Sequence, residues 1–187
     1  MTPIDLMDAL KRRVEAVTAG YRFRESDGGG LRAPRVWTQH LPEKLFDGEV
    51  DPADYPFIQI VIGGGSVSEN GDGSCQVAIL VGGYDDGQPV DPDDPDSPRD
   101  RQGWLIPAEI MWRVIADLEV MPLVGGQFQL EHPLTWELPQ EQPAPMWYGL
   151  INAAFSMPVP QRGYGMDQWT QQPTVPRDGP YTEEIRT

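Results

Sequence analysis

The chain of 187 residues contains one cysteine and two histidines, and both shortages restrict its chemistry. The single cysteine, Cys75, excludes an internal disulfide and fits a reducing cytoplasm; within an apolar run, we expect it to act as a small hydrophobic residue. Neither His40 nor His132 has a neighbouring motif for nucleophilic catalysis. His132 falls on the core-facing parity of a predicted strand beside Pro133, which places it toward the core and favours a satisfied structural histidine over a catalytic base. The sequence therefore predicts a protein that is not an enzyme.

Long apolar runs and positive charge are also scarce. No stretch approaches eighteen apolar residues and the N-terminus lacks an apolar leader segment, so we expect neither a membrane span nor a signal peptide. The 14 basic residues face 29 acidic ones, which gives a net charge of −15. A sequence-specific nucleic-acid binder needs a basic footprint to neutralise phosphates. The charge instead fits an acidic wall that repels DNA, or a role in solubility alone.

Signals for phosphate or metal binding are weak. The glycines at 63–65 lead through Ser66 into another Gly-rich segment and a strand, whereas a phosphate-binding loop opens a helix. We therefore predict residues 63–74 to be a hairpin connection. The most acidic loop contains Asp91, Asp93, Asp94 and Asp96. Prolines interrupt this series, and it lacks the glycine and distal glutamate of a calcium loop, so we expect no metal site and no cofactor.

Two segments have the apolar spacing of helices. In residues 2–18, Thr2 can cap the helix and Pro3 can occupy its first turn. The predicted inward face of this helix is Ile4, Met7, Leu10, Val14 and Val17. A second helix is predicted over residues 104–120, with Pro107 tolerated in its first turn. Its predicted inward face is Ile110, Met111, Val114, Ile115 and Leu118.

Strand patterns follow in the middle and in the third quarter of the chain. Residues 57–62 are continuously apolar between Pro56 and Gly63, which is typical of a central strand, and residues 75–84 repeat the signal. Residues 127–159 contain two alternating patterns that predict a long antiparallel hairpin. Their apolar faces are Phe128, Leu130, Leu134, Trp136 and Leu138, then Trp147, Ile151, Ala153, Phe155, Met157 and Val159. The predicted class is α+β, with two helices packed on a mainly antiparallel sheet.

Two segments lack regular periodicity. Residues 85–101 contain seven aspartates and a proline at every third position from 89 to 98, which predicts an extended, solvated, anionic loop. Residues 161–187 show no period and are either a disordered tail or an extended C-terminal arm that orders against a neighbour. The candidate anchors of that arm are Tyr164, Trp169 and Tyr181. We expect residues 1–160 to form one domain.

The element order is helix, two or three strands, acidic loop, helix and long C-terminal hairpin. Tyr55, Pro56, Phe57 and Ile58 open the central strand, and the hairpin joins the segments 133–139 and 141–147. In this order and in these residues, the chain resembles the tail terminator proteins of long-tailed bacteriophages, also called tail completion or head-tail joining proteins. The resemblance covers residues 1–160. The acidic loop at 85–101 and the C-terminal arm depart from the pattern.

The resemblance implies an α+β structural subunit of the virion that is assembled in the host cytoplasm and forms a hexameric ring at the neck of the tail. Such a ring caps the tail tube protein, ends its polymerisation and faces the head-completion or connector protein. Six copies at −15 each would carry about −90, so DNA could pass through the lumen without specific binding. The four aspartates of the acidic loop are the candidate interaction or lumen-facing residues.

Three alternatives remain open from the sequence. One is a head-completion or adaptor protein that binds the portal instead of the tube. A second, from another class, is a small hydrolase or acidic binding domain that acts alone, with a carboxylate pair or a histidine in a pocket. A third is an acidic DNA mimic whose aspartate-rich loop occupies the nucleic-acid site of another protein.

Overall fold

The computed structural model describes residues 2–24, 31–41, 51–68, 71–91, 93–94, 96–140, 142 and 144–158. Within these ranges the helices are α1 (Pro3–Thr18) and α2 (Leu105–Val120), and a short 3-10 helix covers Pro52–Asp54. The strands are β1 (Phe23–Arg24), β2 (Leu31–Arg32), β3 (Arg35–Thr38), β4 (Phe57–Val67), β5 (Asp72–Tyr84), β6 (Gln88–Pro89), β7 (Arg99–Asp100), β8 (Leu123–Val124), β9 (Phe128–Glu137) and β10 (Met146–Pro158). The predicted α+β class is confirmed.

Helix α1 begins as predicted, and its predicted inward residues Leu10 and Val14 are buried, but the buried face is rotated away from Ile4. Thr2 and Asp5 form a reciprocal capping box, and Pro3 occupies the first turn. The buried residues are Leu6, Ala9, Leu10, Val14 and Thr18. Ile4 was predicted to be inward, yet it is 62% exposed. At about 100° per residue, Ile4 lies roughly 200° from Leu6, so the two cannot both face the core.

Helix α2 has the predicted inward face. Its predicted core residues are all buried, together with Pro107 in the first turn. Arg13 joins the two helices, because its Nε lies 2.5 Å from Asp117 Oδ2 and its Nη2 donates to the Asp117 carbonyl at 2.7 Å. Each helix has 16 residues. Within the described ranges, no helix is long and apolar enough to cross a membrane.

The main sheet has six strands in the order β3-β4-β5-β10-β9-β8. Strand β3 is parallel to β4, and the other neighbours are antiparallel. The predicted C-terminal hairpin is confirmed, since β9 pairs with β10. Both helices contact this sheet, and the core lies between them and its alternate residues. Its buried members on the two central strands are Cys75, Val77, Ile79, Val81, Ile151, Ala153 and Phe155.

Strand β4 is longer than the sequence predicts. Residues 63–67 were expected in a flexible turn, but they belong to the strand, which pairs with β5 as far as Val67 opposite Gly73. The chain reverses only afterwards, where Gly71 N donates to the Ser68 carbonyl at 3.0 Å and Gly71 has φ of 86°. Ladder hydrogen bonds to β5 therefore override the turn preference of the glycines.

The acidic loop is a closed hairpin and not an extended segment. Strands β6 and β7 pair at its base, and Val90 N donates to the Pro98 carbonyl at 2.9 Å. Aspartate side chains fold its tip, because Asp91 Oδ1 accepts from Asp93 N and Asp94 Oδ1 from Asp96 N, each at 3.0 Å. Such Asx turns compete with the extended conformation that the proline period predicts.

His132 lies on the surface, so its prediction as a buried residue is wrong. Its side chain is 64% exposed, and Nε2 lies 3.7 Å from Glu119 Oε2. The β9–β10 register shifts between Asn152 and Ala154, next to this position. A β-bulge there interrupts the alternation that would have turned His132 inward.

Gly82 gives a test of the packing on the second face of the sheet. A Cβ added to this residue would lie 2.3 Å from Phe57 Cε1, and the Phe57 ring is 1% exposed and cannot move away freely. We expect Gly82→Ala to lower the free energy of unfolding by about 1–3 kcal/mol, measured by urea denaturation. Gly20→Ala is the control, because the nearest atom to its added Cβ is 3.9 Å away. Equal stability of the two variants would contradict this packing.

Candidate assembly surface

Strand β4 has an open edge over residues 63–67, which we call the glycine edge. On the outer side, β3 pairs only with residues 57–60. Gln39 extends this cover by two bonds, because its N donates to the Ile60 carbonyl at 2.8 Å and its Oε1 accepts from Ile62 N at 2.9 Å. Beyond Ile62, no described strand pairs with the outer side, and residues 63–67 are all exposed. Backbone groups are therefore available for another strand there.

Strand β9 has a second open edge over residues 131–137, which we call the tryptophan edge. Strand β8 pairs only with Phe128 and Gln129, and Leu130 N donates to the Pro122 carbonyl at 2.8 Å. From Glu131 onward, the only described partner of β9 is β10 on its inner side. The edge carries Pro133, which lacks an N–H donor, and a carboxylate at each end. It is therefore partly protected, whereas the glycine edge has neither proline nor charge.

The two open edges lie on opposite borders of one sheet. Strands β5 and β10 separate β4 from β9, so the edges are about three strand spacings, or roughly 14 Å, apart. They are also displaced along the strands, because Gly64 lies level with Gln76 while Trp136 lies level with Ile151 and Ile79. The edges differ in sequence and position. Contact between them in two copies would therefore be head-to-tail.

Two exposed indoles stand beside the tryptophan edge. Trp136 lies on the face of the sheet that packs against the helices, opposite the buried Ile151, yet it is 51% exposed. Trp112 on α2 is 63% exposed and meets Trp136 edge to face, with ring centroids 6.5 Å apart and planes at 82°. Aromatic side chains of this size dominate interface energies when they become buried. The pair is therefore a candidate contact site.

The outer side of α2 carries further exposed apolar residues. Besides Trp112, Leu105 and Val120 are 38% and 79% exposed. Glu109, Arg113 and Glu119 are exposed on the same side, so these apolar residues are separate contacts among charges and not a continuous apolar face. Next to Trp112 is an open depression of about 510 Å³. Its lining residues are Tyr21, Ala108, Glu109, Trp112, Arg113 and Ala116.

An aromatic cluster holds the start of β4 on the second face of the sheet. The Tyr55 ring lies 5.3 Å from that of Phe57 and 6.0 Å from that of Tyr84, and its hydroxyl is 3.3 Å from the Tyr148 hydroxyl. Tyr55 is 7% exposed. Burial, followed by the hydrogen bond to Tyr148, raises the pKa of the Tyr55 phenol well above its ordinary value. The cluster is a packed structural element.

The predicted site residues are distributed unevenly. Asp91, Asp93, Asp94 and Asp96 are exposed in the hairpin tip between β6 and β7, at a distance in sequence from both open edges. The predicted arm at 161–187, with its anchors Tyr164, Trp169 and Tyr181, lies outside the described residues. Among the residues that the structure does describe, no three His, Cys, Asp or Glu side chains are arranged to hold a metal ion. His40 and His132 are exposed near opposite borders of the sheet.

Sequence reasoning missed Trp112 and the glycine edge. Trp112 does have a sequence signal, because it lies outside the inward stripe of α2 and a large aromatic residue on an outer helix face is unusual. The glycines have a weaker signal, since a run of three glycines after a strand is typical of a turn. The alternating pattern predicts the correct face for Trp136, but it does not predict that half of this side chain is exposed.

The raised pKa of Tyr55 makes stability depend on alkaline pH. The folded chain keeps this phenol protonated where an unfolded one ionises, so its contribution is complete below a pH of about 10 and is lost as the pH rises toward the folded pKa. We expect the wild type and Tyr55→Phe to show the same phenolate absorbance until alkaline unfolding begins. As the pH rises above about 10, the difference in the free energy of unfolding between the wild type and Tyr55→Phe should decrease. One additional phenolate in the folded wild type near pH 10 would contradict the burial of Tyr55.

Comparison of the chain with protein-family models gives no match. Comparison with curated proteins likewise gives no match, so neither identifies a tail terminator. The function has to be inferred from the residues and surfaces of the chain itself.

Proposed function

We propose that the chain is a structural subunit of a bacteriophage neck, which forms a ring that caps the tail tube, ends its polymerisation and joins it to the head connector. The observation that carries the proposal is the pair of unlike open edges on opposite borders of one sheet. The order of elements, in which it resembles tail terminators, supports the same role. In this role the chain is a structural subunit that contributes its fold and its contact surfaces, and it catalyses no reaction.

Unlike edges permit a closed assembly. Two copies that join the glycine edge of one to the tryptophan edge of the next still have one free edge of each kind. Further copies can add in the same way until the rotation closes the ring and no edge remains. Backbone hydrogen bonds supply the contact, as they do when an extended strand is added to a sheet. A hexamer is the number that the resemblance implies.

The charge distribution is compatible with the passage of DNA. Each copy carries −15, and the tip of the β6–β7 hairpin exposes four carboxylates without a basic residue between 91 and 98. Phosphates would find no cationic partners on such a surface and would not adhere to it. An acidic lining therefore favours sliding over binding. We place these aspartates at the lumen or at the contact with the neighbouring neck protein.

The ring itself can be tested on the purified full chain. We expect native mass spectrometry to show a single closed oligomer, six copies by the resemblance, and negative-stain images to show annular particles. The oligomer should bind assembled tail tubes at one end. A strictly monomeric particle at high concentration, without binding to tubes, would refute the proposal. Binding to portal subunits in place of tubes would instead favour a head-completion or adaptor protein.

Cross-linking can test whether the contact is head-to-tail. Cys75 is 1% exposed and burial raises the pKa of its thiol, so a cysteine introduced at the surface reacts without competition. Ser66→Cys lies on the glycine edge and Thr135→Cys on the tryptophan edge, and both positions are exposed. With a short bis-maleimide, we expect dimers only when the two variants are mixed. Cross-linking of Ser66→Cys alone would show that two glycine edges pair with each other.

Deleting the tip of the acidic hairpin distinguishes the proposed ring subunit from the alternative function as an acidic DNA mimic. Asp91, Asp93, Asp94 and Asp96 at the tip are exposed and lie outside the core, so deletion of residues 91–96 should leave the stability of the fold within about 0.5 kcal/mol. We expect the shortened chain to form the same oligomer and to retain tube binding, with at most a change in salt dependence. Complete loss of function with an intact oligomer would favour the DNA mimic.

A further inference from the structure

Gly63 and Gly64 have no role in the fold of the subunit that requires glycine. A Cβ added at either position would meet no atom within 4 Å, and neither residue has φ in the left-handed region. Gly65 is different, because its Cβ would lie 2.5 Å from the Ser74 carbonyl oxygen. Glycine weakens a strand interior, since it adds conformational entropy to the unfolded chain and no packing to the folded one. Because nothing in the described subunit requires glycine at these two adjacent positions, the requirement for glycine has to come from a contact with another molecule.

The bulge in β4 does not supply that reason. The register shifts between Ile62 and Gly64, so Gly63 is the extra residue. A bulge demands glycine when that residue is left-handed, and Gly63 is not. The remaining cause of glycine in a strand is the close approach of another group to the backbone. On the open side of β4, that group has to come from outside the described subunit.

The tryptophan edge offers a complementary surface. Trp112 and Trp136 place two large side chains beside an open strand. The glycine edge has the opposite shape, because its first three residues expose backbone without side chains. Aromatic rings stabilise edge glycines by packing over their exposed backbone. Charge also favours this pairing, because copies at −15 repel one another least where the touching residues themselves are uncharged. The five residues of the glycine edge and the two indoles are uncharged.

We propose that the indoles of Trp112 and Trp136 in one copy pack over the backbone of Gly63 and Gly64 in the next copy. This inference deepens the ring assembly proposed above and rests on it. The occupant of each surface is a second copy of this chain, because the chain carries both halves of the contact on opposite borders. The repeated contact in a closed ring covers every such indole pair and every such glycine pair.

The double variant Gly63→Val, Gly64→Val tests the glycine half. Valine suits a strand and meets open space here, so the isolated subunit should unfold at the same or a higher urea concentration than the wild type. Assembly should change in the opposite direction, with at least about tenfold more protein needed to form the oligomer. Wild-type assembly by this variant would overturn the inference. Loss of stability would overturn it as well, since the glycines would then serve the fold of the subunit.

Trp112→Ala and Trp136→Ala test the other half, and Trp104→Ala is the matched control because that indole is 45% exposed but lies before the first residue of α2. The first two should impair assembly about tenfold or more while lowering subunit stability only by the one ring contact that Trp112 and Trp136 make with each other, and the control should assemble normally. Equal effects of all three would overturn the inference. A loss of subunit stability that exceeds this one ring contact would place a further partner of the indoles within the same copy and would also overturn it.

Mixing the two kinds of variant shows which surfaces meet. The valine variant keeps its tryptophan surface, and Trp136→Ala keeps its glycine edge. At a concentration where the wild type is assembled and each variant alone is monomeric, an equimolar mixture should give heterodimers that cannot grow. If the wild type forms a ring and the mixture stays monomeric, the indole–glycine contact is wrong while the ring proposal survives. A wild type that is monomeric at every concentration would refute both the ring proposal and the indole–glycine contact. If the valine variant forms rings that do not bind tail tubes, the glycine edge is the contact with the tube protein and the indole–glycine contact is wrong.

Discussion

The pairing of β5 with β10 is the interaction on which the rest of the structure depends. All 13 residues of β10 pair with β5 in one uninterrupted register, from Met146 opposite Tyr84 to Pro158 opposite Asp72. The pair supplies the central part of the core, where Ile79 and Ile151 lie directly opposite and are fully buried. It also sets the position of both borders, because β4 adds to one side and β9 to the other. The open edges are unlike and opposed for this reason.

The elements that burial determines could be predicted from the sequence. Helix α2 and the strands β5 and β10 have one apolar periodicity each, and the structure buries the residues that it selects on α2 and β5 and, on β10, Ile151, Ala153 and Phe155. On β10, Trp147 and Met157 are only half-buried, and Val159 lies outside the described residues. For helix α1 the sequence predicts the helix and the buried Leu10 and Val14, but not the whole face, because its apolar residues fit two overlapping stripes and only contact with the sheet distinguishes them. Local polar chemistry was the other source of error. Asx turns closed the acidic hairpin that the proline period predicted to be extended.

The candidate surface was largely unpredictable, because an open edge is a property of the neighbouring strand. The glycine edge is open because β3 ends at Thr38, which cannot be predicted from residues 63–67 themselves. The tryptophan edge is open because β8 has only two residues, which cannot be predicted from residues 131–137. The exposure of Trp136 follows from the same geometry, since its parity is that of the core but no described element lies beyond β9 to cover it. The strand character of Gly63 and Gly64 likewise comes from the ladder with β5 and not from their own preference.

An uncharged open edge is a hazard, and the net charge of the chain limits it. Strand edges without proline or charge pair readily with any similar edge, which leads to aggregation. Repulsion between copies at −15 reaches about 8–10 Å at physiological ionic strength, whereas strand pairing and indole packing act only at contact. For a weak or partial edge contact, the electrostatic repulsion between two copies is therefore larger than the attraction that the contact supplies. A head-to-tail contact that adds two indoles to a strand pair buries more at the same electrostatic cost, and in the proposed ring it leaves no edge open for further growth.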